Sequence, residues 1–347
     1  MERCRISQET ERMLHLGHPW VLKDKDTALW KRMPLGCVMQ LVNKDGAYVA
    51  TALYDPHDKI VARVLSWHAS MQLTEAWISD KIQQALKKRH NLFMDGQTTA
   101  YRLINAEGDA LPGITVDRYG DFLMVQLYSE AWRPHLSLLV TALDRLCTPA
   151  GIYEKKRPRD TRTLEQRNGS KQYGILLHGK PVPVPHIVQE LGIRYEVDLQ
   201  EGLDTGLFLD QRENRKTLMQ IVANKRFLNL FAYTGAFSLA AAIAGAQACT
   251  SIDISPRYTQ IHKKNILLNF LSKQRCTLVV DDCLRALAKL KEQGERFDVI
   301  LLDPPSFSTT GKGMFTTKKG TSELVAAALA VLHDGGLGHA VGSAVQL

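Results

Sequence analysis

Between residues 227 and 307, short apolar runs alternate with longer segments of helical character. The apolar runs are Phe227 to Phe231, a second that ends at Asp253, a third that ends at Asp281-Asp282, and Phe297 to Leu302. This alternation of strands and helices predicts a parallel sheet with helices on its faces. In such sheets ligands bind beyond the carboxyl ends of the strands. The polar residues that end these runs therefore mark a candidate binding site.

The turn after the first run, Ala232-Tyr233-Thr234-Gly235, contains a single glycine. A dinucleotide fold would show G-x-G-x-x-G here, so that the backbone can approach a pyrophosphate, and a phosphate loop would show G-x-x-x-x-G-K-[ST]. The sequence has neither pattern. One glycine suits a ligand without phosphates, whose charged tail needs only a tight backbone turn. S-adenosylmethionine (SAM) is such a ligand.

Two carboxylates fit the same ligand. Ribose hydroxyls call for a carboxylate at the end of the second strand, roughly 20 residues after the turn by analogy with the dinucleotide fold, and Asp253 stands there. Asp282, at the end of the third strand, could accept a hydrogen bond from the adenine amine. Alternatively, both aspartates are turn residues at strand ends and Gly235 is a turn at a helix start. The ordered set favours the cofactor site.

The segment Asp303-Pro304-Pro305-Ser306-Phe307 follows the fourth run directly. Each proline fixes its own φ and biases the preceding residue away from helix, so the chain leaves the strand in a stiff, extended form. Rigid carbonyl groups and a nearby aromatic ring would suit a flat base held against a methyl donor. An ordinary strand-ending turn is the alternative.

The first 70 residues contain closely spaced short β-like runs, a pattern that predicts a small barrel. Residues 71–185 alternate strand and helix patterns and predict a mixed α+β unit, and residues 186–347 contain the cofactor sheet. Between Lys155 and Lys171 lies a basic loop with seven lysines and arginines against Asp160 and Glu165. Such a loop could neutralise several phosphates. A solvated loop without a partner is equally compatible with the sequence.

Composition adds three expectations. The net charge of +8 and the pI near 9.1 favour a polyanionic partner. Six scattered cysteines without a C-x-x-C pair argue against a zinc site or a redox motif, so no metal is expected. The charged N-terminus lacks the apolar segment of a secretory signal, and no apolar run approaches the length of a membrane span. A cytoplasmic protein with reduced thiols is predicted.

Several longer motifs together carry a family resemblance. They are E-G-D-x-L-P-G-x-x-V-D-R-Y-G-D at Glu107 to Asp121, T-G-x-F-L-D-Q-R at Thr205 to Arg212, N-L-F-A-Y-T-G at Asn229 to Gly235, and D-P-P-S-F at Asp303 to Phe307. The chain resembles bacterial class I SAM-dependent rRNA methyltransferases, which have an N-terminal PUA domain, a small α+β RNA-binding domain and a C-terminal Rossmann-like domain. The resemblance covers nearly the whole chain.

The resemblance implies methyl transfer from SAM to a base of large-subunit (23S) rRNA, with RNA as the partner. It implies a PUA-like barrel at 1–70, an α+β RNA-binding or connecting domain at 71–185, and the methyltransferase domain at 186–347. The catalytic floor would consist of Asp303, Pro304 and Pro305. In the family, the segment that matches Thr205 to Arg212 lies beside the cofactor pocket; for Arg212, a surface salt bridge to Glu213 or Asp210 is the alternative. The implied cofactor residues are Phe208, Asp210, Gln211, Arg212, Phe231, Tyr233, Thr234, Gly235, Asp253 and Asp282.

The chain departs from the family in two respects. Cytosine-C5 members carry a nucleophilic cysteine on the strand after a Gly-Gly turn, but the run from Gly335 to Ser343 has none. Its absence favours guanine N7 or another base atom over cytosine C5, because a ring nitrogen needs no covalent activation. The chain also ends near the fifth strand, so the C-terminal strands of the sheet are predicted to be missing. A PUA-containing RNA-binding protein with an incomplete, inactive methyltransferase domain is the alternative. A small-molecule methyltransferase or a dehydrogenase fits less well.

Overall fold

The computed structural model describes residues 1–68, 70–94, 96–156, 173–272, 274–304, 307–310 and 313–340. The chain divides into two compact units. The first comprises Met1–Val184 with Leu199–Leu203, and the second comprises Pro185–Asp198 with Asp204–Leu347. Most of the predicted basic loop, residues 157–171, lies outside the described residues, as do Pro305 and Ser306.

The N-terminal part of the first unit is a five-stranded sheet. Its strands are β1 (Arg3–Arg5), β2 (Trp20–Leu22), β3 (Val38–Val42), β4 (Tyr48–Tyr54) and β5 (Ile60–Ser66). The strand order is β1-β3-β4-β5-β2, so β1 and β2 are the two outermost strands. This sheet occupies the region for which a small barrel was predicted. Helix α1 (Gln8–His15) begins after Ser7, whose hydroxyl accepts a hydrogen bond from the Thr10 N–H at 3.2 Å. This bond satisfies one of the free amides of the first turn.

The rest of the first unit is a second five-stranded sheet, covered by two helices. Its strands are β6 (Ala100–Asn105), β7 (Ile114–Tyr119), β8 (Phe122–Leu127), β9 (Gly151–Lys155) and β10 (Gly174–Gly179), in the order β10-β9-β8-β7-β6. The helices are α2 (Glu75–Phe93) and α3 (Leu136–Cys147). Ile82 of α2 and Leu139 of α3 are fully buried in one apolar cluster with Val116 and Leu123 of the sheet.

The second unit contains an all-parallel, five-stranded sheet. The unit begins with a hairpin of β11 (His186–Glu190) and β12 (Ile193–Val197). The sheet strands are β13 (Arg226–Leu230), β14 (Ala248–Asp253), β15 (Cys276–Val280), β16 (Phe297–Leu302) and β19 (Leu332–Ala340), while β17 (Phe307–Thr310) and β18 (Gly313–Thr316) pair with each other. The order β15-β14-β13-β16-β19 is that of a Rossmann-like sheet.

Helices connect these strands and cover the sheet. They are α4 (Arg212–Ile221), α5 (Ala236–Ile243), α6 (Pro256–Leu268), α7 (Cys283–Glu292) and α8 (Thr317–Leu329). The prediction of a Rossmann-like parallel sheet is confirmed. The predicted end of the third strand at Asp281-Asp282 is wrong by two residues, because β15 ends at Val280. Asp282 instead caps α7, and its Oδ1 accepts a hydrogen bond from the Arg285 N–H at 3.1 Å.

Candidate active site

A cavity of about 500 Å³ opens at the carboxyl ends of the parallel strands. This volume lies within the range of small-molecule sites. β13 lies between β14 and β16, so the strand order reverses at this point. The connections that follow β13 and β16 run to opposite sides, which leaves a crevice between them. The cavity is lined by Asp204, Gly206, Phe208, Asp210, Gln211, Arg215, Asn229, Phe231, Ala232, Tyr233, Thr234, Ala236, Phe237, Asp253, Ile254, Ser255, Tyr258, Asp282, Cys283, Asp303 and Pro304.

The turn between β13 and α5 adopts an unusual backbone conformation. Phe231, Tyr233 and Gly235 have φ values of +59°, +52° and +85°. Two bulky residues in the left-handed region are uncommon and cost free energy, so the surroundings must hold the turn in place. Asp253 contributes to this, because its Oδ2 accepts a hydrogen bond from the Tyr233 N–H at 2.8 Å and its Oδ1 accepts one from the Ser255 N–H at 2.8 Å.

Gly235 is required by a close approach of α6. A Cβ atom at this position would lie 2.0 Å from Cδ2 and 2.2 Å from Nε2 of His262. The His262 side chain is buried, and burial lowers its pKa to about 4. Gly235 does not itself line the cavity. It allows the turn to pack directly against the imidazole ring of α6.

The segment from Asp204 to Gln211 forms a second wall of the cavity. The Thr234 hydroxyl donates a hydrogen bond to the Gly206 carbonyl at 2.6 Å, which joins this wall to the turn. The ring centroids of Phe208 and Tyr233 are 5.4 Å apart. Phe208, Asp210 and Gln211 line the cavity, and their contact with the cofactor stays a prediction. Arg212 does not line the cavity. Its guanidinium is paired with the Glu213 carboxylate at 2.8 Å, a salt bridge that was the alternative for this residue.

Arg215 also lines the cavity, although no motif in the sequence marks it as a site residue. It lies one turn after Arg212 on α4, and its side chain is 1% exposed. The guanidinium donates hydrogen bonds to both carboxylate oxygens of Glu190 on β11, at 2.6 and 2.8 Å, and to the Phe208 carbonyl at 2.7 Å. The sequence around Arg212 and Arg215 is polar, and its pattern does not indicate which of the two arginines is buried at the cavity. The packing of α4 decides this.

Asp303 and Pro304 line the cavity at the end of β16, whereas Pro305 lies outside the described residues. Burial and, to a smaller extent, the nearby Asp210 carboxylate raise the pKa of the Asp303 carboxyl to about 6, and Arg215 opposes the shift. Cys283 also lines the cavity. Burial raises the pKa of its thiol to about 12, so the thiol is protonated at neutral pH.

Residues 101–340 match the family model described as S-adenosylmethionine-dependent methyltransferase, and residues 5–67 match that of a PUA-like domain. The chain belongs to the S-adenosylmethionine-dependent methyltransferase family. SAM is therefore its cofactor, as the single-glycine turn indicated. This methyltransferase offers SAM a cavity of suitable volume, carboxylates at the ends of neighbouring strands, and aromatic walls.

The methyltransferase is similar to proteins of known sequence and structure over nearly its whole length. It is 33% identical over 335 residues to Ribosomal RNA large subunit methyltransferase I of Escherichia coli O139:H28, an overlap of 96% of this chain and 84% of that protein. The crystal structure of SMU.776 in complex with SAH overlaps 99% of this chain and 86% of its own, with 31% identity and a TM-score of 0.87.

A second structure, of a protein from Streptococcus mutans assigned as a SAM-dependent methyltransferase, has 30% identity and a TM-score of 0.83, with the same coverage. These overlaps do not confirm the predicted loss of C-terminal strands, which stays a prediction. Among the described residues of the methyltransferase, no helix is long and apolar enough to span a membrane.

Proposed function

We propose that this protein transfers the methyl group of SAM to a base of large-subunit rRNA. The observation that carries the proposal is the 33% identity over 96% of the chain to an enzyme named Ribosomal RNA large subunit methyltransferase I. The PUA-like match at residues 5–67 and the positive net charge of +8 support an RNA substrate. Because ribosomes are the site of this substrate, the proposed reaction takes place in the cytoplasm.

In this proposal residues 1–70 and 71–185 bind RNA, and residues 186–347 hold SAM. Asp253 accepts the ribose hydroxyls. Each of its oxygens already accepts one backbone N–H, which orients the carboxylate and leaves further lone pairs for a ligand. The Asp282 carboxylate accepts a hydrogen bond from the adenine amine. It has lone pairs available for this, because the structure shows one of its oxygens accepting the Arg285 N–H. The turn that contains Tyr233, Thr234 and Gly235 receives the methionine part.

Asp303 and Pro304 shape the floor on which the target base rests. We favour guanine N7, or another atom that is nucleophilic by itself, over cytosine C5. The run from Gly335 to Ser343 contains no cysteine, and the Cys283 thiol is buried and protonated. For a ring nitrogen, positioning against the methyl donor and a fitting electrostatic environment supply the catalysis without a covalent intermediate.

Calorimetric titration with SAM tests the cofactor half of the proposal. We expect micromolar binding by the purified chain and its loss in Asp253→Ala. Asp253→Asn is the matched control, because it keeps an oxygen acceptor and nearly the same shape, and we expect it to weaken binding less. A folded chain that binds no SAM would contradict the proposal and favour an RNA-binding protein with an inactive methyltransferase domain.

Mass analysis of nucleosides tests the substrate half. Unmodified 23S rRNA is incubated with the protein and SAM that carries a deuterated methyl group, and the digested nucleosides are then analysed. A deuterated methylguanosine is the expected product. Deuterated 5-methylcytidine would overturn the preference for guanine, and label confined to small molecules would overturn the rRNA substrate.

A further inference from the structure

The described lining of the cavity carries an excess of negative charge. Among these described residues the one arginine is Arg215, and its guanidinium is already neutralised by the buried Glu190 carboxylate at 2.6 Å. Several carboxylates so close together in one partly enclosed site repel each other, and their charges call for a compensating cation. The aspartates of the lining are Asp204, Asp210, Asp253, Asp282 and Asp303.

Two of these aspartates, Asp210 and Asp303, differ from the other three in their contacts. Asp253 accepts two backbone N–H groups, Asp282 caps α7, and Asp204 also has interactions of its own. By contrast, neither Asp210 nor Asp303 makes a hydrogen bond or an ion pair within the part of the chain that the structure describes. Asp303 is nevertheless half-buried. A half-buried carboxylate without a partner is costly unless a ligand supplies the missing charge.

The positions of these two carboxylates indicate which part of the ligand they face. The turn follows β13, Asp253 ends β14, and Asp282 caps α7 two residues after β15. The proposed function places the methionine, ribose and adenine parts at these three positions. Asp303 directly follows β16, at the floor proposed for the base, and Asp210, on the wall formed by Asp204 to Gln211, interacts with it electrostatically. The methyl group must lie between the cofactor and the base, so its sulfur is the cofactor atom nearest this pair.

We propose that Asp210 and Asp303 supply the counter-charge for the sulfonium of SAM, and that they thereby distinguish SAM from its product, S-adenosylhomocysteine (SAH). During transfer an electron pair of the base forms the new bond to the methyl carbon, and the electrons of the S–CH3 bond stay on sulfur. The sulfonium cation becomes a neutral thioether, and its positive charge passes to the methylated base, which leaves with the RNA. The adenine, the ribose and the amino acid group are the same in both molecules. The inference rests on the proposed function and adds that Asp210 and Asp303 favour the release of SAH after the transfer.

Charge-neutral substitutions test the proposal by calorimetry with SAM and SAH as separate ligands. We expect Asp303→Asn to weaken SAM binding about tenfold, the effect of about 1.4 kcal/mol at one charged contact, and to leave SAH binding within about twofold. Asp210 is more exposed, so we expect Asp210→Asn to shift the same ratio less. Glu213→Gln is the control. It removes an exposed carboxylate close in sequence that does not line the cavity, and should leave both affinities unchanged.

The pH dependence of the unmodified protein is a second test, which remains valid if a variant fails to fold. The pKa of Asp303 is raised to about 6, so this carboxyl gains a proton as the pH falls through 6 and SAM binding should weaken relative to SAH binding. The charged groups that act on its pKa are Asp210 and Arg215, and the other aspartates of the described lining are Asp204, Asp253 and Asp282. The hydroxyls of Tyr233 and Tyr258 and the Cys283 thiol have pKa values raised by burial and stay neutral in this range.

The possible results separate the inference from the proposed function. If the variants weaken SAM and SAH by the same factor, the two carboxylates hold a part that both ligands share, and the inference is wrong while the cofactor site stands. Unchanged affinities for both ligands would overturn it as well. If the folded, unmodified protein binds neither SAM nor SAH, the proposed function fails together with the inference.

Discussion

Gly235→Ala should destabilise the second unit much more than Gly245→Ala. The two glycines flank α5 and have nearly the same backbone conformation, with φ values of +85° and +89°. They differ in the space around them. A Cβ at position 235 would meet the His262 ring at 2.0 Å, whereas a Cβ at position 245 would have no atom within 4 Å. Gly245→Ala therefore measures the backbone strain alone, and Gly235→Ala adds a steric clash.

The expected magnitudes follow from these two contributions. An alanine in the left-handed region costs about 1–2 kcal/mol at either position. Forcing a methyl group into a packed site costs about 1–3 kcal/mol more. The His262 ring belongs to a buried side chain of α6 and has little room to move. We therefore expect a loss of about 2–5 kcal/mol in the free energy of unfolding for Gly235→Ala and about 1–2 kcal/mol for Gly245→Ala.

Urea unfolding followed by far-UV circular dichroism, with hydrogen exchange of the β13 and α5 amides, would measure both losses. A double-mutant cycle with His262→Ala isolates the clash. On that background Gly235→Ala should cost only the backbone term, because the ring that it meets is gone. Equal losses at positions 235 and 245, or the same cost of Gly235→Ala with and without the imidazole, would refute this account of the turn.

Three further predictions follow from the structure. Glu190→Gln leaves the buried Arg215 guanidinium without a counter-charge and should lower the free energy of unfolding by about 3–5 kcal/mol. The exposed Glu213→Gln is the control, with an expected loss under about 1 kcal/mol. An equally small loss for Glu190→Gln would show that the Arg215–Glu190 pair does not stabilise the fold. In the folded protein the pKa of His262 is about 4, against an ordinary value of 6.5. Between pH 4 and pH 6.5 the imidazole is therefore protonated in the unfolded chain and neutral in the folded protein. The free energy of unfolding should therefore have its full value above pH 6.5 and fall by about 3 kcal/mol as the pH drops to 4. In His262→Phe the free energy of unfolding should change less with pH across this range. Cys283→Ser should retain methyl transfer, because its thiol has a pKa of about 12; loss of transfer with intact SAM binding would assign a chemical role to this cysteine.

The sequence determined much of the cofactor domain, because the signals involved are local. The apolar runs predict β14 and β16 with their correct ends, and Asp253 falls at the carboxyl end of β14 as expected. The single glycine and the two prolines act through the φ angles that they permit, which can be read without knowledge of distant contacts. The position of Asp303 after β16 follows from the same kind of signal, and it lines the cavity.

Only the tertiary structure decided which polar residues meet. Arg215, rather than Arg212, is buried at the cavity because its partner, Glu190, lies on a hairpin 25 residues earlier in the chain. The requirement for Gly235 comes from His262 on α6, and the raised pKa of Asp303 depends on burial and on Asp210. Such contacts join residues that are distant in sequence, so no local periodicity encodes them. Side-chain burial and charge compensation are properties of the packed chain.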